Sequence, residues 1–184
     1  MNITLLDRLL KIDWLVLDVD GVLTEGGIGY DDHGLEQKAF FVRDGSGMKI
    51  WRFAGKHAAL LTGRSSRIVE VRARELEVTR VMQGVADKWE ALQSLIKEIG
   101  AKPEQICAMG DDVVDLGVLH SCGLAVAVAD ACPETRAAAH YVTRAPGGRG
   151  AVREVIELVL RAQGHWHGVV EHYRHRTAAG PIGS

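Results

Sequence analysis

The sequence predicts an α/β fold, a doubly wound sandwich around a mostly parallel sheet, and three observations carry that expectation. Short apolar runs recur along the chain and each stops at a polar residue, as strands buried on both faces do. Segments with helical spacing of apolar residues lie between them. A single tract departs from this alternation, where a turn cluster sits between two strand-prone stretches.

The first buried strand is read in Trp14-Leu15-Val16-Leu17, continuously apolar until it meets Asp18. A hairpin follows almost at once. Ile28-Gly29-Tyr30 and the stretch from Gln37 to Val42 flank Asp31-Asp32-His33-Gly34, so a flap of about residues 27–43 is expected to rise from the sheet's carboxyl edge. Further strands are expected at Ala58-Ala59-Leu60-Leu61-Thr62, Ile106-Cys107-Ala108-Met109-Gly110 and Leu124-Ala125-Val126-Ala127-Val128. Helical patterns run from Ser65 to Leu76, Asp87 to Ile99 and Gly150 to Ala162. Once the hairpin and one helix are placed between Asp18 and Thr62, no room is left for a folded cap domain.

With 184 residues, 47% of them apolar, the chain can fill the core of one domain, expected over residues 1–164. Basic and acidic side chains number 22 and 24, a balance that gives no electrostatic reason for a nucleic-acid partner. No run approaches the ~20 apolar residues of a membrane crossing, and Met1 to Leu10 carries no signal-peptide pattern, so a cytoplasmic chain is expected. Cys107, Cys122 and Cys132 match no zinc framework, and an odd count leaves at least one thiol unpaired within the chain; free, mostly buried thiols are expected. Residues 165–184 form a histidine-rich tail with His165, His167, His172 and His175, read as a solvated or partner-facing segment or as a transition-metal site, its last residues expected to be mobile.

Three polar clusters fall at the ends of expected parallel strands: Asp18-Val19-Asp20-Gly21, Thr62-Gly63-Arg64 and Gly110-Asp111-Asp112-Val113-Val114-Asp115. The carboxyl ends of such strands form the ligand crevice of an open α/β sheet. Any one of these acids could merely cap the following helix, and Asp112 is read that way. Together they would gather several carboxylates, a hydroxyl followed by glycine, and a lysine. Hard oxygen donors without histidine or cysteine suit magnesium, which usually accompanies a phosphate.

These residues, with Val22-Leu23-Thr24 continuing the first cluster and Lys88 between the second and third, resemble the four ordered motifs of the haloacid dehalogenase superfamily. Val42-Arg43-Asp44-Gly45, Gln83-Gly84, Val126 to Ala131 and Gly147-Gly148-Arg149-Gly150 through Glu154 resemble one branch of it, the 3-deoxy-D-manno-octulosonate 8-phosphate phosphatases. The resemblance runs from about Leu15 to Gly164. It implies a Rossmann-like three-layer sandwich without a cap, and Mg²⁺-dependent hydrolysis of a sugar-acid phosphate in lipopolysaccharide precursor synthesis.

Carried over motif by motif, the resemblance makes Asp18 the nucleophile that becomes an aspartyl phosphate and Asp20 the general acid and base. Asp18, the main-chain carbonyl of Asp20 and Asp111 would hold Mg²⁺, and Asp115 would orient a ligand or the lysine. Thr62, Gly63 and Lys88 would bind the phosphoryl oxygens, although a lysine opening an amphipathic helix is ordinarily a solvated residue. Arg64 and Arg43 are the candidate binders of the substrate carboxylate, each of which alone would read as a surface arginine. Arginine directly after the phosphate-binding turn favours the eight-carbon substrate over a nine-carbon nononate 9-phosphate. Gly147-Gly148-Arg149-Gly150 is either an anion nest or a turn admitting a helix. The branch also implies a homotetramer in which neighbouring hairpins cover the active sites. A non-catalytic oligomerisation or regulatory module is the rival from another class, set against the intact Asp18, Asp20, Lys88 and Asp111. Phosphoryl transfer to another sugar would call for a cap.

Overall fold

A computed structural model describes residues 3–178, with side chains as far as Arg174. The side chain of His175 and the stretch 179–184, where mobility was expected, lie outside the described residues. Helix α1 (Leu5–Leu9) is capped by Thr4, whose hydroxyl accepts from Asp7 N at 3.2 Å, and leads into the first strand β1 (Trp14–Leu17). Strands β2 (Gly29–Tyr30) and β3 (Glu36–Gln37) make the small antiparallel hairpin. Then come α2 (Val42–Phe53), β4 (His57–Leu61), α3 (Arg67–Glu75), β5 (Arg80–Met82) and α4 (Lys88–Ile99). The chain continues through β6 (Ile106–Gly110), α5 (Leu116–His120), β7 (Leu124–Ala127), α6 (Pro133–Ala138), β8 (Tyr141–Val142), α7 (Ala151–Ala162) and α8 (Trp166–Ala178).

Six strands form one parallel sheet in the order β5-β4-β1-β6-β7-β8, and the hairpin stands apart from it. Two are additions to the expected set: β5 and β8 are short edge strands, only half buried or less, so neither shows the continuous apolar run that marks the interior strands. Alternation along each strand feeds two cores. Leu15, Leu17, Cys107 and Met109 face the side covered by α2 and α7, while Trp14, Val16, Ile106 and Ala108 face Leu92 and Leu95 of α4 and Val118 and Leu119 of α5. Cys107 is buried, Cys122 and Cys132 half-buried, and all three are free.

The hairpin is shorter than expected. Its second strand ends at Gln37, and Val42, read as strand, is the first residue of α2. Long-range pairing explains the difference: Asp44 in the first turn of α2 is buried and accepts from Gly150 N at 3.0 Å and Arg153 N at 2.8 Å, capping α7 from a neighbouring helix. Phe40 packs against the core, whereas Val42 is exposed. In α8, Val169 is buried and the His172 ring lies tilted by 33° against Phe53 with ring centroids 4.2 Å apart; the described histidines belong to no group of potential metal ligands.

Candidate active site

Three adjacent strands, β4, β1 and β6, end side by side, and this adjacency brings together motifs that lie far apart in sequence. Asp18 follows β1, Thr62 follows β4 and Asp111 follows β6. Lys88 is the first residue of α4, with Asp87 as its N-cap accepting from Trp89 N at 2.8 Å and Glu90 N at 3.0 Å. A cavity of about 370 Å³ opens over these ends, lined among others by Asp18, Asp20, Thr62, Gly63, Arg64, Lys88 and Asp111.

Lys88 is the electrostatic centre of the cluster. Its Nζ lies 2.9 Å from Asp18 Oδ2 and 2.7 Å from Asp115 Oδ1, and all three side chains are less than a tenth exposed. Burial works against its ammonium, yet Asp18 and Asp115 outweigh it and raise the pKa above the usual lysine value. Asp18 Oδ1 accepts from Val19 N at 2.7 Å, which leaves the carboxylate fixed at both oxygens. Asp115 also accepts from Asp111 N at 3.0 Å and Asp112 N at 3.3 Å, so it holds the loop after β6 as well as the lysine. Asp112 itself caps the short turn that follows, accepting from Val113 N at 2.8 Å.

One lysine does not balance the acids around it. Oxygens of Asp18, Asp111 and Asp115 lie within 4.8 Å of one another. Burial first, and then the neighbouring Asp115 charge against the opposing Lys88, raises Asp18 to about 6; burial and the charges of Asp18 and Asp115 raise Asp111 to about 7. No lysine, arginine or histidine among the described residues pairs with Asp111 within salt-bridge distance. Crowded carboxylates that resist ionisation, with neither imidazole nor thiolate among them, fit a hard divalent cation that prefers oxygen ligands.

Glycine is required where the loops meet. Gly21 has φ +88°, and a Cβ there would stand 2.0 Å from Asp111 Oδ2, so the carboxylate rests directly on the backbone of the β1 loop. From the far side, a Cβ at Gly147 would stand 1.8 Å from Gly21 O, and Gly148 N donates to Val22 O at 2.9 Å. The glycine-rich turn before α7 therefore backs the Asp18–Thr24 loop, and Gly147 N is already taken by Asp130 Oδ1 at 2.8 Å. Its amides are committed to protein partners rather than arranged as an open nest.

The two arginines fall differently. Arg64 is at the cavity, but its guanidinium is engaged: Nη2 lies 3.0 Å from Glu36 Oε1 and 3.2 Å from the Tyr30 hydroxyl, both on the hairpin, and Nε is 3.8 Å from Asp20 Oδ2. Arg43 is exposed in the first turn of α2 and does not line the cavity; its neighbour Asp44, turned inward to cap α7, sets the orientation of that turn. Sequence reasoning missed Lys38, which salt-bridges Asp20, and Glu36 and Tyr30; all three sit on an exposed-looking hairpin where a lysine or glutamate carries no periodic signal.

Comparison with known proteins agrees with this geometry. Residues 49–156 match the haloacid dehalogenase-like hydrolases. The 3-deoxy-D-manno-octulosonate 8-phosphate phosphatase of Yersinia pestis is 45% identical over 158 residues, 86% of this chain and 84% of that protein. The Moraxella catarrhalis phosphatase of the same name, crystallised with a magnesium ion, a phosphate ion and a KDO molecule, is 39% identical with a TM-score of 0.89, over 91% of this chain and 97% of that one. The cobalt-bound Haemophilus influenzae enzyme is 40% identical with a TM-score of 0.82, over 85% and 92%. The chain thus belongs to the haloacid dehalogenase-like hydrolases, in the branch that contains the 3-deoxy-D-manno-octulosonate 8-phosphate phosphatases.

Proposed function

We propose that this chain hydrolyses 3-deoxy-D-manno-octulosonate 8-phosphate to the eight-carbon sugar acid and inorganic phosphate, a step in making lipopolysaccharide precursors. The observation that carries the reading is Lys88 set between Asp18 and Asp115, beside Asp111, at the floor of a cavity that Thr62 and Gly63 also line. Such a floor offers a fixed nucleophile and donors for phosphoryl oxygens in one place.

Asp18, Asp111 and the main-chain carbonyl of Asp20 would hold Mg²⁺. When bound, that ion supplies the positive charge that offsets repulsion between the carboxylate nucleophile and the phosphate. Lys88, the Thr62 hydroxyl and Gly63 N then hold the phosphoryl oxygens. Asp18 forms a new O–P bond while the ester P–O bond breaks, and the electron pair leaves on the sugar oxygen. That oxygen takes the proton of Asp20. Asp20 next receives a proton from the water that attacks the aspartyl phosphate, releasing phosphate and restoring Asp18. Asp115 neither touches substrate nor moves a proton; it holds Lys88 and the Asp111 loop in register.

Arg64 would meet the substrate carboxylate by exchanging Glu36 for it, since the two anions compete for the same nitrogen. Arg43, away from this cavity, is proposed to act on a neighbouring subunit of a homotetramer whose hairpins close over the sites. Three free cysteines fit a reducing, cytoplasmic setting. Phosphate release from octulosonate 8-phosphate, nononate 9-phosphate and simple sugar phosphates, with and without magnesium, tests the reading. A preference for the first that needs the metal supports it, and equal, poor rates on all of them would defeat it.

A further inference from the structure

Lys38 follows directly on β3, and its side chain is fully buried, 0% exposed, although the strands around it are open to solvent. Its Nζ donates to Asp20 Oδ1 and lies 3.4 Å from Glu36 Oε1. Glu36 Oε1 also takes Arg64 at 3.0 Å, and Arg64 Nε stands 3.8 Å from Asp20 Oδ2. The four side chains close a ring of alternating charge in which the hairpin supplies two members and the loops after β1 and β4 supply the other two. Asp20 Oδ2 and Arg64 Nε are both buried without a hydrogen-bond partner, so the carboxyl of Asp20 is hydrogen-bonded at one oxygen only, by Lys38, while Arg64 meets the other through charge alone.

A lysine is expensive to bury, because its stem loses rotamer freedom and its ammonium loses water, and a buried ion pair recovers that loss only in part. Stability alone does not account for it. We infer that Lys38 is the positioning residue for Asp20: docking of the hairpin brings its ammonium to Oδ1 and so sets the direction in which the carboxyl faces the leaving oxygen. This rests on the phosphatase reading above. In the step concerned the ester P–O bond breaks, its electrons go to the sugar oxygen, and the proton passes from Asp20 to that oxygen; the carboxylate left behind stays on Lys38.

The test compares Lys38→Met and Lys38→Arg with wild type, as full-length protein loaded with magnesium, on two substrates. A sugar-acid phosphate has a poor leaving group and needs the proton, whereas p-nitrophenyl phosphate does not. For Lys38→Met, kcat on the sugar-acid phosphate is expected to fall about 100-fold, as for a misplaced catalytic group. KM is expected to stay within about threefold, as for an interaction used in the transition state rather than in binding. First-turnover release of p-nitrophenolate should stay close to wild type, and Lys38→Arg should recover part of the loss. An equal loss on both substrates, no loss on either, or a change confined to KM overturns the inference. Failure of the phosphatase reading looks different, since wild type would then turn over neither substrate. The tie is in that case read by amide exchange over residues 29–37, which should speed up in Lys38→Met and not in Lys38→Arg; unchanged exchange overturns it.

Discussion

Replacing Lys88 by methionine keeps an unbranched apolar stem and removes the ammonium held 2.9 Å from Asp18 and 2.7 Å from Asp115. Exposure of the three side chains is 8%, 9% and 4%, so what remains is a set of buried carboxylates facing one another. Removing one partner of a buried ion pair costs about 3–5 kcal/mol. For a chain of this size each kcal/mol moves Tm by about 2–4 °C, which gives a fall of about 6–20 °C. The loss carries a pH signature. Asp18 is already raised from 3.8 to about 6 and Asp111 to about 7 with Lys88 opposing the shift, so without it both go higher. An acid whose pKa is raised on folding carries no penalty below its unfolded value, an increasing one through the interval up to its folded value, and the full penalty above. The variant's deficit is therefore largest at pH 8 and shrinks toward pH 5. Urea unfolding of both proteins with a chelator present, at the two pH values, measures it. A deficit of the same size at both would show that packing of the stem, not charge, is what Lys88 contributes.

Asp18→Asn should abolish phosphate release yet leave the metal-free protein more stable than wild type at pH 8, by about 1–3 kcal/mol, because the raised carboxylate is neutralised; chemical denaturation alongside the turnover assay checks both halves. Magnesium should raise Tm more at pH 8 than at pH 5.5, since below about 7 and about 6 the ion must displace protons from Asp111 and Asp18, and differential scanning fluorimetry at the two pH values reads the sign. Gly147→Ala, whose methyl would meet Gly21 O at 1.8 Å, should displace the Asp18–Thr24 loop and lose most activity while the far-UV circular dichroism stays that of the native fold.

Much of the site was legible because each of its main groups ends an apolar run or opens a helix. Asp18, Thr62 and Asp111 stand where β1, β4 and β6 stop, and strand adjacency then does the gathering. Lys88 was legible only through its order between motifs, because nothing local distinguishes a buried lysine at a helix start from a solvated one. The hairpin was found but its length was not: Phe40-Phe41-Val42 has the apolar, β-branched look of a strand, and the contact that begins a helix there comes from Gly150 and Arg153, more than a hundred residues on. The same long-range contact hides the inward turn of Asp44 that accompanies an exposed Arg43, and the Arg64–Glu36 and Lys38–Asp20 pairings, 28 and 18 residues apart, leave no periodic trace either. Edge strands β5 and β8 escaped because half-exposed pairing surfaces need no apolar run.

The Gly147–Gly148 turn against the β1 loop also bears on how the protein is made. The first strand synthesised is an interior one, flanked by β4 and β6, and the loop that follows it is braced by a turn about 125 residues further along. During translation the ribosome thus releases Asp18, the proposed nucleophile, early and its support late. A nascent chain can hold Asp18 in a folding sheet and still lack a working reaction centre until the turn before α7 has cleared the exit tunnel.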